Sequence, residues 1–348
     1  MLREASNDKL GSMRNVQLVI PELFLPLSIA ATACADLNLP ELEKLLARSQ
    51  HTSLADESLE TWLCRTFGIP DCGIAPVTLR ADGLEPGAFY WLRADPVHLR
   101  LDRDRLLLQS EATLTGDEAA QLCAGLNAHF ADDNLHFIAA HPQRWYLRLN
   151  VAPNISTLPP AQVEGRNIHE HLPRGPDALR WHSVFNEIQM LLFEHPVNRL
   201  REIRGELPVN SVWLWGGGQA GGALLQPYAR VLGDSDLASA IARVAGTPCA
   251  PIRDVVPQCE TADAGDILVV FEGLRKALQR GDLYNWREEL QRFEMSCFRP
   301  LVYALQKKRI ARLILDIPQA GISRRFELTR AGIWKLWVRP KPLERYAV

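Results

Sequence analysis

The sequence predicts an α/β protein: a doubly wound, mostly parallel sheet with a smaller inserted α+β domain. Three observations lead there. Short, apolar, β-rich runs (VQLVI at 16–20, NSVWLW at 210–215, ILVVF at 267–271 and IARLIL at 310–315) alternate with amphipathic helical stretches, the pattern that builds parallel sheets. Between residues 76 and 150 the pattern changes to short strands and tight turns, which suits a separate antiparallel sheet. The chain has 348 residues, 47% hydrophobic and 23% charged, enough for about two domains with buried cores.

The elements follow in order. Residues 16–20 read as a fully buried strand stopped by Pro21. Residues 40–49 read as a helix with Pro40 in its first turn, acids early, and Leu42, Leu45 and Leu46 as its apolar stripe. Phe89 to Leu108 reads as a meander of short strands broken at Ala94-Asp95-Pro96 and again at an Asp-Arg turn. Thr115 and Glu118 form a capping box that opens a helix with Cys123, Leu126 and Phe130 on one face. Residues 144–149 (RWYLRL) alternate as a strand should, and Asn154 to Pro160 is a Pro-bearing connector. A helix spans 183–194, and its end at His195-Pro196 would suit a histidine cation on the helix dipole. Trp286 to Gln306 gives the longest amphipathic helix, kinked at Pro300. Trp334 and Trp337 stand at helical spacing and read as core. The domain organisation expected is a flexible tail over 1–14, an α/β core over 15–75 and 151–348, and the α+β insert over 76–150.

Composition excludes several classes. Lys+Arg 39 against Asp+Glu 41 gives net charge −2, so no basic surplus points to nucleic acid. The clusters at 306–309, 323–325 and 339–341 are short. The 7 cysteines are odd in number, scattered, and contain no CxxC pair; they read as reduced thiols of a cytoplasmic protein. The apolar run 16–35 is interrupted by Pro21, Glu22 and Pro26. It therefore reads as strand, loop and helix rather than an export signal or membrane span. No membrane partner is expected.

Two local features bear on chemistry. In VWLWGGGQAGG, Gly216, Gly218 and Gly221 satisfy GxGxxG after a strand, the spacing with which a dinucleotide fold brings a helix onto a pyrophosphate. No acidic residue ends a clear second strand about 20 residues on, and no Lys-Ser/Thr pair makes it a P-loop. A tight turn that packs Trp213 and Trp215 accounts for the same residues. The second feature is His169-Glu170-His171, with His182 and His195 in the same stretch. A metal needs three or more converging ligands, and no Asp-rich partner lies beside them. No GxSxG elbow is present.

Taken together, several segments resemble a known family. Glu22 follows VQLVI where enzymes of the alkaline phosphatase superfamily carry a metal-binding Asp, and Leu39 to Arg48 resembles their Thr-Pro-x-Leu helix. His195-Pro196-Val197-Asn198 and Asn210-x-x-Trp213-x-Trp215-Gly216-x-Gly218 resemble the archaeal-type cofactor-independent phosphoglycerate mutases. Arg93-x-Asp95-Pro96-Val97-His98-Leu99, Arg144-Trp145-Tyr146-Leu147, Gly281-Asp282 with Trp286, and Trp334-x-x-Trp337 resemble the RpfE-type regulatory proteins, relatives of that mutase. The resemblance implies an alkaline-phosphatase-like fold. For an active mutase it would also imply two metal ions, a Ser nucleophile and several Asp and His ligands. Here the chain departs at three positions: Pro21-Glu22 stands for Asp-Gly, Phe271-Glu272-Gly273-Leu274 for Asp-x-x-Gly-His, and Asp316-Ile317-Pro318 for Asp-His. Two-metal phosphoryl transfer needs those charges.

The expectation is a non-catalytic, mutase-like scaffold with a regulatory or ligand-binding role and no metal or cofactor. Its partner would be a small molecule or a protein not specified by the sequence, bound at Trp213, Trp215, Gly216, Gly218, Gly221 and Asn198. Two alternatives stay open. One is a divergent metal-dependent phosphatase or phosphotransferase that rebuilds its site from Glu22, His169, His171 and Asp316. The other is a nucleotide or phosphometabolite binder at Gly216–Gly222.

Overall fold

A computed structural model describes residues 14–348, apart from Glu111, Asp254 and 262–264. The tail expected over 1–14 lies almost wholly outside the described residues. The strands are β1 (Asn15–Val19), β2 (Gln50–Leu54), β3 (Tyr90–Asp102), β4 (Arg105–Gln109), β5 (His136–His141) and β6 (Arg144–Leu149). They continue with β7 (Ser211–Gln219), β8 (Arg230–Gly233), β9 (Cys249–Ala250), β10 (Ile267–Val270), β11 (Arg312–Ile317) and β12 (Ser323–Thr329). The chain divides into two compact units, one of Met1–Phe67 with Leu225–Val348, the other Gly68–Leu224. Among the described residues no helix is long and apolar enough to cross a membrane.

The first unit is the doubly wound α/β sheet the sequence predicts, in the order β2-β12-β11-β1-β10-β8-β9. The pairs β11–β1, β1–β10, β10–β8 and β8–β9 are parallel; β12 runs against β11 and β2. The runs VQLVI, ILVVF and IARLIL supply its centre, buried as β-branched strands covered on both faces must be. Val16, Leu18, Ile267, Val269, Leu313 and Leu315 share one core with Leu42 and Leu45 of helix Pro40–Arg48. The long amphipathic stretch joins the same core as helix Leu283–Phe293, one π-helical turn Glu294–Phe298, and helix Arg299–Gln306. Pro300 has no N–H to give to the preceding turn, and the ladder widens just before it.

The second unit is an antiparallel sheet, β4-β3-β6-β5, with β7 on the other side of β3. It is larger than expected: it reaches Leu224, not 150, because NSVWLW becomes β7 and pairs with β3 instead of joining the parallel sheet. A strand buried on both faces looks the same in either kind of sheet. The expected turn at Ala94-Asp95-Pro96 is also absent, since β3 runs straight through it. On one side β6 pairs only as far as Arg93 and β4 only from His98. Pro96 falls in the gap, where no bond to either strand is needed. The capping box stands as predicted: Glu118 N donates to Thr115 Oγ1 (3.2 Å) and Thr115 N to Glu118 Oε2 (3.0 Å).

Candidate functional site

In the first unit, the three positions of departure come together. β1 lies between β10 and β11, with Val19 opposite both Val270 and Asp316. Ile20 N donates to Asp316 O (3.0 Å), Glu22 N to Pro318 O (3.3 Å) and Phe271 N to Val19 O (3.0 Å). Glu22, Glu272 and Asp316 thus stand at the carboxyl ends of neighbouring parallel strands, the edge where such sheets place ligands.

What surrounds these carboxylates decides what they can do. Asp316, 1% exposed, faces Arg325 across the β11–β12 ladder. Arg325 Nε donates to Oδ1 (2.6 Å) and Nη2 to Oδ2 (2.7 Å), a bidentate pair. Gln17 Nε2 (2.7 Å) and Trp62 Nε1 (3.0 Å) also donate to Oδ2. The hydrogen bonds to Asp316 raise the Arg325 pKa and keep it charged. Tyr228 donates to Gln17 Oε1 (2.8 Å), and burial pushes its phenol up.

A second ion-paired group stands at the end of β10. Arg275 donates from Nη1 to Glu60 (2.9 Å) and from Nη2 to Glu272, and all three side chains are buried. Burial alone would raise the Glu272 carboxyl, but the Arg275 charge outweighs it and holds it low. Asp234, after β8, accepts from Glu272 N (2.9 Å), while burial pushes its carboxyl up. A resident metal pair does not fit these donors. The Asp316 oxygens are taken by four N–H bonds, Glu272 by a guanidinium, and among the described residues no group of three or more His, Cys, Asp or Glu is arranged to hold an ion. His169 and His171 lie on the turn around Ile168–Glu170, in the other unit from Glu22 and Asp316. They form no such group.

In the second unit, the segments singled out by resemblance build one network. Arg93 makes a bidentate pair with Asp95 (2.6 and 2.8 Å from Nη2, 3.0 Å from Nε), and Trp215 Nε1 donates to the same carboxylate (2.7 Å). The Arg93 guanidinium lies 5.0 Å from the Trp215 ring and 5.5 Å from the Tyr146 ring. Tyr146 OH donates to Asp82 (2.6 Å), which also pairs with Arg144. Burial opposes ionisation of Asp82, but the bonds from Arg144 and Tyr146 prevail and its pKa falls.

The other predicted ligand residues have internal duties. Trp213 is buried, and its Nε1 donates to Leu158 O (2.8 Å). Asn198 is buried; it donates to Leu192 O (2.6 Å) and Val209 O (2.7 Å) and accepts from Val209 N (2.9 Å). The glycine run corrects the nucleotide reading: Gly216 and Gly218 lie inside β7, and no helix follows Gly221 before β8. Without a helix N-terminus the spacing has no phosphate cradle. The glycines answer a packing need instead. Gly216 has φ +61°, and a Cβ on Gly218 would stand 2.6 Å from Gly73 Cα. A Cβ on Gly217 would collide with the Tyr90 hydroxyl.

Two further expectations are corrected. His195 is no cation on a dipole: its Nδ1 accepts from Val197 N (3.3 Å) as the N-cap of helix Pro196–Ile203, and burial lowers its pKa. Trp334 and Trp337 are 67% and 79% exposed, because their helix ends at Ile333 and helical spacing has no meaning beyond it. Sequence reasoning missed Glu60, Trp62, Arg275 and Arg325. The available signals were Glu272 and Arg275 at i, i+3 and the alternation that turns Ser323 and Arg325 to one face of β12.

The family model described as 2,3-bisphosphoglycerate-independent phosphoglycerate mutase matches residues 84–198, all within the second unit. The "Probable 2,3-bisphosphoglycerate-independent phosphoglycerate mutase" of Geobacter sulfurreducens is 32% identical over 155 residues, 42% of this chain and 38% of its own. The 2,3-bisphosphoglycerate-independent phosphoglycerate mutase of Methanothrix thermoacetophila is 25% identical over 227 residues, 60% of this chain and 57% of its own. The chain thus spans from 38% to 57% of the length of these curated relatives. Among solved structures, the PH0037 protein of Pyrococcus horikoshii shares the fold, with TM-score 0.53 and 11% identity over 91% of this chain and 87% of that one.

Proposed function

From this relationship to the cofactor-independent phosphoglycerate mutases, we propose that the protein is a non-catalytic, mutase-like scaffold with a regulatory or ligand-binding role, as in the RpfE-type proteins it resembles. One observation carries the reading. At the strand end where the resemblance calls for a metal-binding Asp-His pair, the single carboxylate, Asp316, is buried and saturated by Arg325, Gln17 and Trp62. Beside it, Glu272 and Glu60 share Arg275. Two guanidinium groups, from Arg275 and Arg325, thus stand as the counter-charges of these carboxylates, with half the charge of two divalent metal ions. A guanidinium neutralises carboxylates, but it offers no open coordination position to polarise a phosphoryl oxygen or activate a nucleophile. A cytoplasmic location is part of the proposal, supported by seven free cysteines.

The names of the relatives favour the competing reading, mutase activity in this chain. Purified protein incubated with Mn²⁺ or Zn²⁺, then desalted, separates the two by metal analysis and by an assay of phosphoglycerate interconversion and phosphatase turnover. We expect substoichiometric metal and no turnover above the uncatalysed background. Stoichiometric metal with activity refutes the proposal.

A further inference from the structure

The opposite edge of the first unit holds a pocket that the mutase-like reading does not use. Its volume is about 170 Å³, and it is lined by Arg48, Gln50, Arg312, Glu327, Thr329, Gly332 and Lys335. The strand register explains why these residues meet. Arg312 stands opposite Thr329, and Gln50 opposite Glu327. Glu327 and Thr329 are two apart on β12, so all four positions share one face of three adjacent strands. Arg48 ends helix Pro40–Arg48, and Lys335 follows the short helix Arg330–Ile333. Gly332 is forced by proximity, since a Cβ there would lie 3.0 Å from Arg48 O. Arg312 opens β11 and Asp316 lies near its other end, about 13 Å along the strand.

The charges do not cancel. Arg312 pairs with Glu327 (3.0 Å). Arg48 is fixed by a bond from Nη1 to Ile333 O (2.7 Å), which leaves its charge unmatched by any carboxylate in the lining. Its Nε is buried with no hydrogen-bond partner among the described residues, an arrangement that costs stability unless something accepts from it. Lys335 forms no ion pair with any described residue. Three cations against one carboxylate leave two positive charges, and one donor is left without an acceptor.

We propose that this pocket binds a doubly charged oxyanion, specifically the phosphate of a soluble phosphate monoester. Two uncompensated cations match a dianion better than the single charge of a phosphodiester. A guanidinium with free N–H donors suits several oxygens at once. The site is independent of the proposed function, because neither Arg325 nor Arg275 takes part.

The test titrates the full-length protein with inorganic phosphate and with glycerol 1-phosphate, by calorimetry and thermal shift, against sodium chloride at matched ionic strength. Lys335 is exposed, so Lys335→Gln keeps the fold. It should weaken phosphate binding about tenfold, the usual worth of one charge-assisted hydrogen bond. Lys341→Gln, an exposed neighbour outside the lining, should leave binding unchanged. Arg48→Gln should remove the response entirely, with its own melting temperature taken as baseline. The proposal is overturned if chloride reproduces the phosphate response or if K335Q binds as the wild type does. It is equally overturned if the protein floats with phosphatidylglycerol vesicles while ignoring both soluble phosphates.

Discussion

Replacing Arg325 by Gln isolates the charge balance at the strand ends. The substitution removes both arms of the 2.6 and 2.7 Å pair and leaves Asp316, 1% exposed, with only Gln17 and Trp62 as donors. Breaking a fully buried ion pair typically costs about 3–5 kcal/mol, because the surviving charge stays buried. The Arg325 side chain is 29% exposed, so water can partly replace it, and the expected loss is about 2–3 kcal/mol. Urea unfolding followed by tryptophan fluorescence measures this directly, since Trp62 bonds to the same carboxylate. For a unit of this size the melting temperature should fall by roughly 4–12 °C. The double variant Arg325→Gln with Asp316→Asn should recover part of the loss, as it removes the stranded charge. If R325Q unfolds within about 0.5 kcal/mol of the wild type, Asp316 does not depend on Arg325, and the reading of a built-in cation fails.

Other consequences follow from the second unit. Gly218→Ala should cost about 1–3 kcal/mol in urea, as its Cβ meets Gly73 Cα at 2.6 Å, whereas Gly222→Ala, with open space around it, should be near neutral. Equal effects at both would refute the packing account. Asn198→Ala strands three buried backbone partners and should cost about 2–4 kcal/mol; a loss under about 0.5 kcal/mol would show that water reaches the site. Asp82 has a depressed pKa, so its stabilisation is complete above the unfolded value of about 3.9 and fades as pH falls below it. Arg144→Gln should move that acid limb to higher pH, and an unmoved limb by circular dichroism would refute the assignment. Burial raises the Cys123 thiol to about 12 and places Cys297 well above its ordinary value. Native protein should therefore resist thiol reagents at both, while rapid labelling at pH 8 would refute their burial.

The sequence makes the first unit legible where pattern and tertiary structure agree. β10 is a continuous apolar run and β1 and β11 are mostly apolar ones, the helices around Leu42 and Trp286 have clean stripes, and the capping box at Thr115 is a local device that needs no distant partner. Legibility ends where a partner is remote. β7 looks like a central parallel strand until it is paired with β3, more than 110 residues away, and the insert boundary moves with it. The GxGxxG spacing misleads for a related reason. Glycine is demanded equally by a phosphate cradle and by close packing of Gly73 against Gly218, and only the next element distinguishes the two. Arg275 stays hidden among solvated cations because its partner Glu60 comes from elsewhere in the chain, and Arg325 because its pairing with Asp316 depends on the register of the β11–β12 hairpin.

The family-model match, 84–198, lies in the second unit, and the three departures from the resemblance lie in the first. Within the matched residues 84–198, Arg93 pairs with Asp95, while Arg144 and Tyr146 bond Asp82 and Trp215 donates to Asp95 from outside the match. At the strand ends of the first unit, Asp316 has Arg325 as its partner, and Glu60 and Glu272 share Arg275. An active site must leave some charge uncompensated until substrate arrives. Here the buried strand-end carboxylates are tied to guanidinium groups from within, while net positive charge collects in the pocket around Arg48 and Lys335.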